Sequence, residues 1–222
     1  MKELNKYIDQ TILKPEVTEK EISSFIEEVI QYKFYAACVN QYWVPLVRKQ
    51  LPRDIKVCSV VGFPLGASST QIKVYEAEQM AKIGCDEIDM VMNIGRFKGK
   101  DYKYVGKEIK AVVGAGRGAL VKVIIETCLL SRDEKIAAAR IIAESGAQFV
   151  KTSTGFSKGG ATVEDVKLLR AVVGPHFGVK ASGGIRDYTS AVALIEAGAN
   201  RIGTSSGVYI VQGAPQTTDK SC

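Results

Sequence analysis

Two kinds of segment alternate along the chain. Short runs rich in apolar and β-branched residues occur at 35–40 (YAACVN), 56–62 (KVCSVVG), 87–93 (EIDMVMN), 120–126 (LVKVIIE), 148–152 (QFVKT), 177–181 (FGVKA) and 200–204 (NRIGT). They are apolar at nearly every position rather than at every second one, which predicts strands buried on both faces, as in a parallel sheet. Between them lie helical patterns. The clearest spans 18–32, where Ile22, Phe25, Ile26, Val29 and Ile30 fall on one helix face. Thr18 with Glu21 reads as a capping box, and Ser131 with Glu134 and Thr162 with Asp165 are related start signals. Further helices are predicted at 69–83, 101–113, 132–145, 163–173 and 187–197, and an eighth strand at 7–13 (YIDQTIL). Strand and helix exchanging every 25–30 residues or so mark repeated βα units. Eight of them predict an α/β fold, a (β/α)8 TIM barrel near the lower size of that architecture. An open doubly wound sheet is the competing arrangement. With no Pro/Gly/Ser-rich linker, residues 1–222 are expected to form a single domain with a short polar tail from about 213.

Composition narrows the chemistry. At 222 residues and 46% hydrophobic, the chain can bury a core without disulfides or a structural metal. The single histidine, His176, excludes a histidine-rich metal cluster and two-histidine catalysis. Five cysteines (Cys38, Cys58, Cys85, Cys128, Cys222) with no CxxC pair argue against a zinc ribbon and a secreted disulfide framework. Reduced thiols are expected. The net charge of +6 comes from basic residues spread along the chain. Their densest stretch, Lys98, Lys100, Lys103, Lys107 and Lys110, reads as a solvated helix face, because the aromatics are not spaced there as a stacking platform. No nucleic acid is therefore expected as partner; a small anionic metabolite suits the charge. No window approaches 18 apolar residues and the first ten residues carry no apolar leader, so no membrane partner and a cytoplasmic location are expected.

Charges inside apolar strands are the next signal. Asp89 interrupts EIDMVM, Lys151 interrupts QFVKT and Lys180 interrupts GVKA. A buried charge is costly unless it is paired or used. Two lysines entering one barrel mouth have a use: a neutral amine attacks a carbonyl and forms a Schiff base, an electron sink for cleaving a C–C bond. Burial and a neighbouring cation both favour the neutral amine, and a carboxylate such as Asp89 can move the protons. Residue types leave open which lysine is the nucleophile. Two glycine-rich segments, ASGGIR at 181–186 and GTSSG at 203–207, follow the last two strands. Phosphate sites in these barrels frequently lie there, built from backbone amides and hydroxyls such as Ser205 and Ser206. The segment STGFSKGG at 153–160 is placed to close over a ligand.

At these residues the chain closely resembles the deoxyribose-phosphate aldolase family in its shorter form. The resemblance rests on YIDQTILKPEVT, CVNQYWVP, VVGFPLG, EIDMVMNIG, VKVIIETCLL, FVKTSTGF, VKASGGIR and RIGTSSGV, which together cover nearly the whole chain. It implies a (β/α)8 barrel and reversible cleavage of 2-deoxy-D-ribose 5-phosphate to D-glyceraldehyde 3-phosphate and acetaldehyde. The resemblance places the Schiff-base lysine on Lys151, the second lysine on Lys180 and the acidic proton shuttle on Asp89. The phosphate site is implied at Gly183, Gly184, Gly203, Ser205 and Ser206, with Asp9 in support. No metal and no organic cofactor are implied, the partners are a sugar phosphate and aldehydes, and a homodimer or higher homo-oligomer is expected. One departure stands out: Gln10 occupies a position where short-form members usually carry His. Its replacement is expected to matter little, since the chemistry rests on lysine and aspartate. Cys38 is expected at the barrel mouth without a catalytic role, since no histidine lies near it in sequence. The other cysteines read as small core residues, except Cys222 in the polar tail. His176 is expected in a surface turn, and Tyr42 and Trp43 at a lid, an interface or the core.

Overall fold

The computed structural model describes residues 3–213. Eight strands, β1 (Ile8–Ile12), β2 (Ala36–Val39), β3 (Lys56–Val61), β4 (Glu87–Val91), β5 (Leu120–Ile124), β6 (Phe149–Lys151), β7 (Gly178–Ser182) and β8 (Arg201–Thr204), close in chain order into a barrel. All neighbours run parallel, and β8 pairs back onto β1 through Asp9 and Gly203. The architecture is a (β/α)8 TIM barrel, not an open sheet. Every expected strand is present with ends within two residues of those read from the pattern.

The six expected helices are α1 (Glu19–Gln31), α3 (Thr70–Lys82), α5 (Tyr102–Ala115), α6 (Arg132–Ala143), α7 (Val163–Val173) and α8 (Tyr188–Glu196). Thr18 and Ser131 close full capping boxes at α1 and α6, and Thr162 Oγ1 accepts the Asp165 N–H at α7. Such a cap stabilises a helix by about 1 kcal/mol. Three further helices, α2 (Val44–Gln50), α4 (Ile94–Lys98) and α9 (Gly207–Gln212), were not expected. Seven residues at most span two turns, too few for a helical period to separate from a strand. Lys103, Lys107 and Lys110 lie exposed on α5, as a solvated helix face.

Side chains alternate across each strand, and the two faces of the barrel wall differ. Outward-facing Ile8, Val57, Ile88, Val123, Val179 and Ile202 join Ile22, Ile109, Ile142 and Leu169 of the helices in one continuous core. The barrel interior is divided. On the β1–β3 side it holds a small apolar cluster of Leu13, Cys38, Cys58 and Val60, with Phe63 against it. From β4 round to β1 the inward side chains include seven buried charges. The tail expected from about 213 lies, past Gly213, outside the described residues, and Cys222 with it. Among the described residues, no helix is long and apolar enough to cross a membrane.

Candidate active site

Inward positions of six strands supply a buried ion cluster. Asp89 of β4 is at its centre: Oδ1 lies 2.8 Å from Lys122 Nζ, and Oδ2 lies 2.7 Å from both Lys151 Nζ and Lys180 Nζ. Lys180 Nζ also meets Asp9 Oδ2 of β1 at 2.5 Å. Lys122 of β5 reaches Glu87 Oε2 of β4 at 2.6 Å. Arg201 of β8 bridges Asp9 and Glu87, with Nε 2.7 Å from Asp9 Oδ1 and Nη1 3.1 Å from Glu87 Oε1, and its guanidinium stacks on the Tyr35 ring at 3.5 Å. All seven charged side chains are buried. The interior of such a barrel is ordinarily filled by layers of branched apolar residues. Charges in their place mark a site under chemical demand.

The electrostatics follow from this crowding. Burial alone would raise the pKa of Asp89, but Lys122, Lys151 and Lys180 outweigh it and hold the carboxyl well below the usual range. Asp9 is lowered in the same way: burial opposes, and Arg201, Lys180 and Lys122 prevail. For Lys180, burial would favour the neutral amine, yet the Asp89 and Asp9 carboxylates raise its pKa well above that of an ordinary lysine. The charged form of Lys180 is thus favoured beside Lys151. The cluster holds four cations (Lys122, Lys151, Lys180, Arg201) against three carboxylates (Asp9, Glu87, Asp89), so one proton can leave without creating unbalanced charge.

The structure brings Lys151, Asp89, Lys180 and Asp9 together, as the sequence reading expects. The glycine loops lie at the C-terminal ends of the neighbouring strands. Gly183 and Gly184 follow β7 with φ of 87° and 77°, consecutive left-handed conformations open to glycine and costly for other residues. Gly160 of the β6–α7 segment packs on Gly183: a Cβ on Gly160 would collide with the Gly183 carbonyl oxygen, and the Ala161 N–H donates to that oxygen at 3.0 Å. Ser205 is exposed in the β8–α9 turn, and Ser206 precedes α9. Gly203 differs from the other loop residues. It lies within β8, and a Cβ there would stand 3.0 Å from both Lys180 Cε and Ser182 Cβ. Its lack of a side chain makes room for Lys180.

Gln10 is buried but belongs to the other face of β1. Its Oε1 accepts the Gly207 N–H at 3.0 Å and its Nε2 donates to the Ser205 carbonyl at 3.4 Å. Asp9, not Gln10, enters the barrel interior. His176 is exposed in a turn. Tyr42 is 80% exposed and packs edge-on against the partly buried Trp43 at 4.8 Å.

The sequence reading missed Lys122, Glu87 and Arg201, although each carries a signal. Lys122 interrupts LVKVII as Lys151 interrupts QFVKT, Glu87 lies two residues before Asp89 and so on the same strand face, and Arg201 opens an apolar run. The cysteines need correction too. Cys38 is fully buried in the interior. Cys58 is no plain core residue: its Sγ donates to Asp89 Oδ1 at 3.3 Å and receives Lys122 Nζ at 3.4 Å. Cys58 also hydrogen-bonds Cys38, the main cause that lowers the Cys38 thiol, whereas burial raises Cys58 well above the usual thiol range. Cys85 is buried as expected, with its thiol pushed up to about 12 by burial. Cys128 is only half-buried, 3.4 Å from Ser157 Oγ.

A family model described as DeoC/LacD family aldolase matches residues 4–213. A deoxyribose-phosphate aldolase of Thermococcus kodakarensis is 58% identical over 219 residues, covering 96% of this chain and 98% of that protein. One of Streptococcus sanguinis is 54% identical over 217 residues, covering 97% of this chain and 99% of its own. Among solved structures, one described as QR15, an aldolase, superposes with a TM-score of 0.92 at 44% identity over 96% of each chain. A deoxyribose phosphate aldolase from Aeropyrum pernix, described as having a unique tetrameric structure, superposes with a TM-score of 0.86 at 34% identity, over 94% of this chain and 89% of its own.

Proposed function

The chain belongs to the DeoC/LacD family of aldolases and is a carbon–carbon lyase, and we propose that it cleaves 2-deoxy-D-ribose 5-phosphate reversibly through a Schiff base on Lys151. The observation that carries this reading is the shared Asp89 Oδ2, 2.7 Å from both Lys151 Nζ and Lys180 Nζ. Of the two lysines, Lys180 is held by both Asp89 and Asp9, while Lys151 meets Asp89 and is the last residue of β6.

Neutral Lys151 attacks the C1 carbonyl of the open-chain sugar phosphate and gives a carbinolamine. Loss of water, with a proton passing through Asp89, leaves a protonated imine. The C3 hydroxyl then gives up its proton to a water that relays it to Asp89, and the C2–C3 bond breaks, with its electron pair drawn into the imine. D-glyceraldehyde 3-phosphate departs and an enamine stays on Lys151. Lys180, Asp89 and a water return a proton to C2, and hydrolysis frees acetaldehyde and the amine. Asp9 keeps Lys180 charged and in place. The phosphate is taken by Gly183 and Gly184 with the Ser205 and Ser206 turn; Gly203 serves by admitting Lys180. The chemistry runs without a metal or organic cofactor, and the chain works as a single cytoplasmic domain in a homo-oligomer. Exposed Tyr42, Leu65 and Tyr75 offer apolar contact surface.

The test is cleavage of 2-deoxy-D-ribose 5-phosphate by the purified protein, followed through glyceraldehyde 3-phosphate release. Lys151→Leu is expected to lower kcat by at least about a thousandfold, as removal of a covalent nucleophile does. Turnover that survives Lys151→Leu overturns the reading.

A further inference from the structure

Hydroxyl groups line the C-terminal ends of β5 to β7, and most of them are spoken for. Thr152 Oγ1 donates to the Ser182 carbonyl at 3.1 Å and accepts its N–H at 3.1 Å. Thr154 Oγ1 donates to the Glu126 carboxylate at 2.5 Å, and Ser182 Oγ donates to the Ser153 carbonyl at 2.6 Å. Two are different: Thr127 and Ser153 are buried, yet neither Thr127 Oγ1 nor Ser153 Oγ has a hydrogen-bond partner among the described residues, and of the two Ser153 lies against Gly183. A buried hydroxyl without a partner is destabilising, so such groups in native proteins ask for an explanation.

The position of Ser153 supplies one. It lies two residues beyond Lys151, just past the end of β6. It also abuts the turn after β7: a Cβ built on Gly183 would lie 3.4 Å from Ser153 Cβ. Ser153 therefore lies beside the left-handed Gly183 and two residues along the chain from the reactive amine. Lys151, which must meet a carbonyl, is scarcely more open at 3% exposure, so burial does not set Ser153 apart from the reacting group.

We propose that Ser153 is a substrate-binding residue whose hydroxyl donates to the phosphate of the sugar phosphate held at Gly183 and Gly184. The inference rests on the phosphate reading above and adds a side-chain donor just after β6 to a site otherwise made of backbone amides and the β8–α9 turn. A hydroxyl donates to an anionic oxygen without adding charge, which suits a neighbourhood already rich in lysine. The site takes a phosphomonoester; an unphosphorylated aldehyde gains little from it.

The experiment compares Ser153→Ala with the unaltered protein on 2-deoxy-D-ribose 5-phosphate and on unphosphorylated 2-deoxy-D-ribose, with inorganic phosphate as competitive inhibitor. Loss of a hydrogen bond to a charged group weakens binding about tenfold to a hundredfold. The expected result is a fall of that size in kcat/KM for the phosphorylated sugar, mainly through KM. Phosphate inhibition weakens to match, and the change on the unphosphorylated sugar stays within about threefold. Ser153→Cys, close in size but a weak donor, is expected to move in the same direction and serves if the alanine variant folds poorly. Equal losses on both sugars place the hydroxyl at the imine end and overturn the proposal, as does no loss on either. If the unaltered protein itself fails to distinguish the two sugars, the phosphate reading falls first, a result separable from the others.

Discussion

Replacing Lys122 by Met tests whether charge balance governs the barrel interior. The Lys122 ammonium is fully buried, 2.8 Å from Asp89, 2.6 Å from Glu87 and 3.9 Å from Asp9. Methionine keeps most of the side-chain volume and removes the charge. Breaking a buried pair by deleting one partner typically destabilises by about 3–5 kcal/mol, because the survivor is left uncompensated. Here the survivors keep company: Asp89 retains Lys151 and Lys180, and Glu87 retains Arg201. The count passes from four cations against three carboxylates to three against three. The loss is therefore expected at the low end, about 3 kcal/mol, or a Tm lower by about 6–12 °C for a chain of this size. Asp9→Asn makes the opposite change. It leaves four cations against two carboxylates and strips a partner from both Lys180 and Arg201. Its loss is expected near about 5 kcal/mol, or about 10–20 °C. Thermal melts of both variants at pH 7, followed by circular dichroism, give the comparison. A Lys122→Met protein that loses as much stability as Asp9→Asn would refute the charge-balance reasoning.

Other outcomes follow from the same geometry. Gln10→His is expected to change kcat/KM by no more than about threefold, because Gln10 faces α9 and not the ion cluster; a gain of several orders of magnitude in a cleavage assay would contradict this. Gly203→Ala is expected to fold but lose about tenfold in kcat, since its methyl would stand 3.0 Å from Lys180 Cε and push that ammonium off its carboxylates; unaltered kcat would show that Lys180 tolerates the shift. Asp9 and Asp89 bind protons more weakly folded than unfolded. The stability they contribute is thus complete above the unfolded carboxylate value of about 3.9 and is lost as pH falls below it. Denaturation at stepped pH is expected to show a steep acid limb below about pH 4 that flattens in Asp9→Asn; an equally steep limb in that variant would count against the assignment.

The barrel was legible because the strands read as short, mostly apolar runs and each long helix carries a period or a cap, as at Thr18 and Ser131. The short helices after β2, β4 and β8 were not, since α4 is only five residues long and a single turn has no period to detect. In the site, a polar residue inside an apolar run marked Asp89, Lys151 and Lys180. The same mark is present at Lys122, whose neighbours Val121 and Val123 face the helices. Glu87 and Arg201 open their strands, where a charge reads as the solvated end of a run. Only the closed barrel turns both inward, where Arg201 bridges Glu87 and Asp9. The role of Gly203 was hidden for a related reason: glycine after an apolar run reads as a turn, and the proximity of Lys180 is visible only once β7 and β8 are side by side.

The central claim is a covalent imine on Lys151, and reductive trapping tests it most directly. The protein is incubated with acetaldehyde, reduced with borohydride, digested and examined by mass spectrometry. The account predicts an ethyl group on Lys151 alone, absent from Lys151→Leu and still formed on Lys151 when Lys180 is replaced, though more slowly. An adduct on Lys180 instead, or no adduct on any lysine, would contradict it.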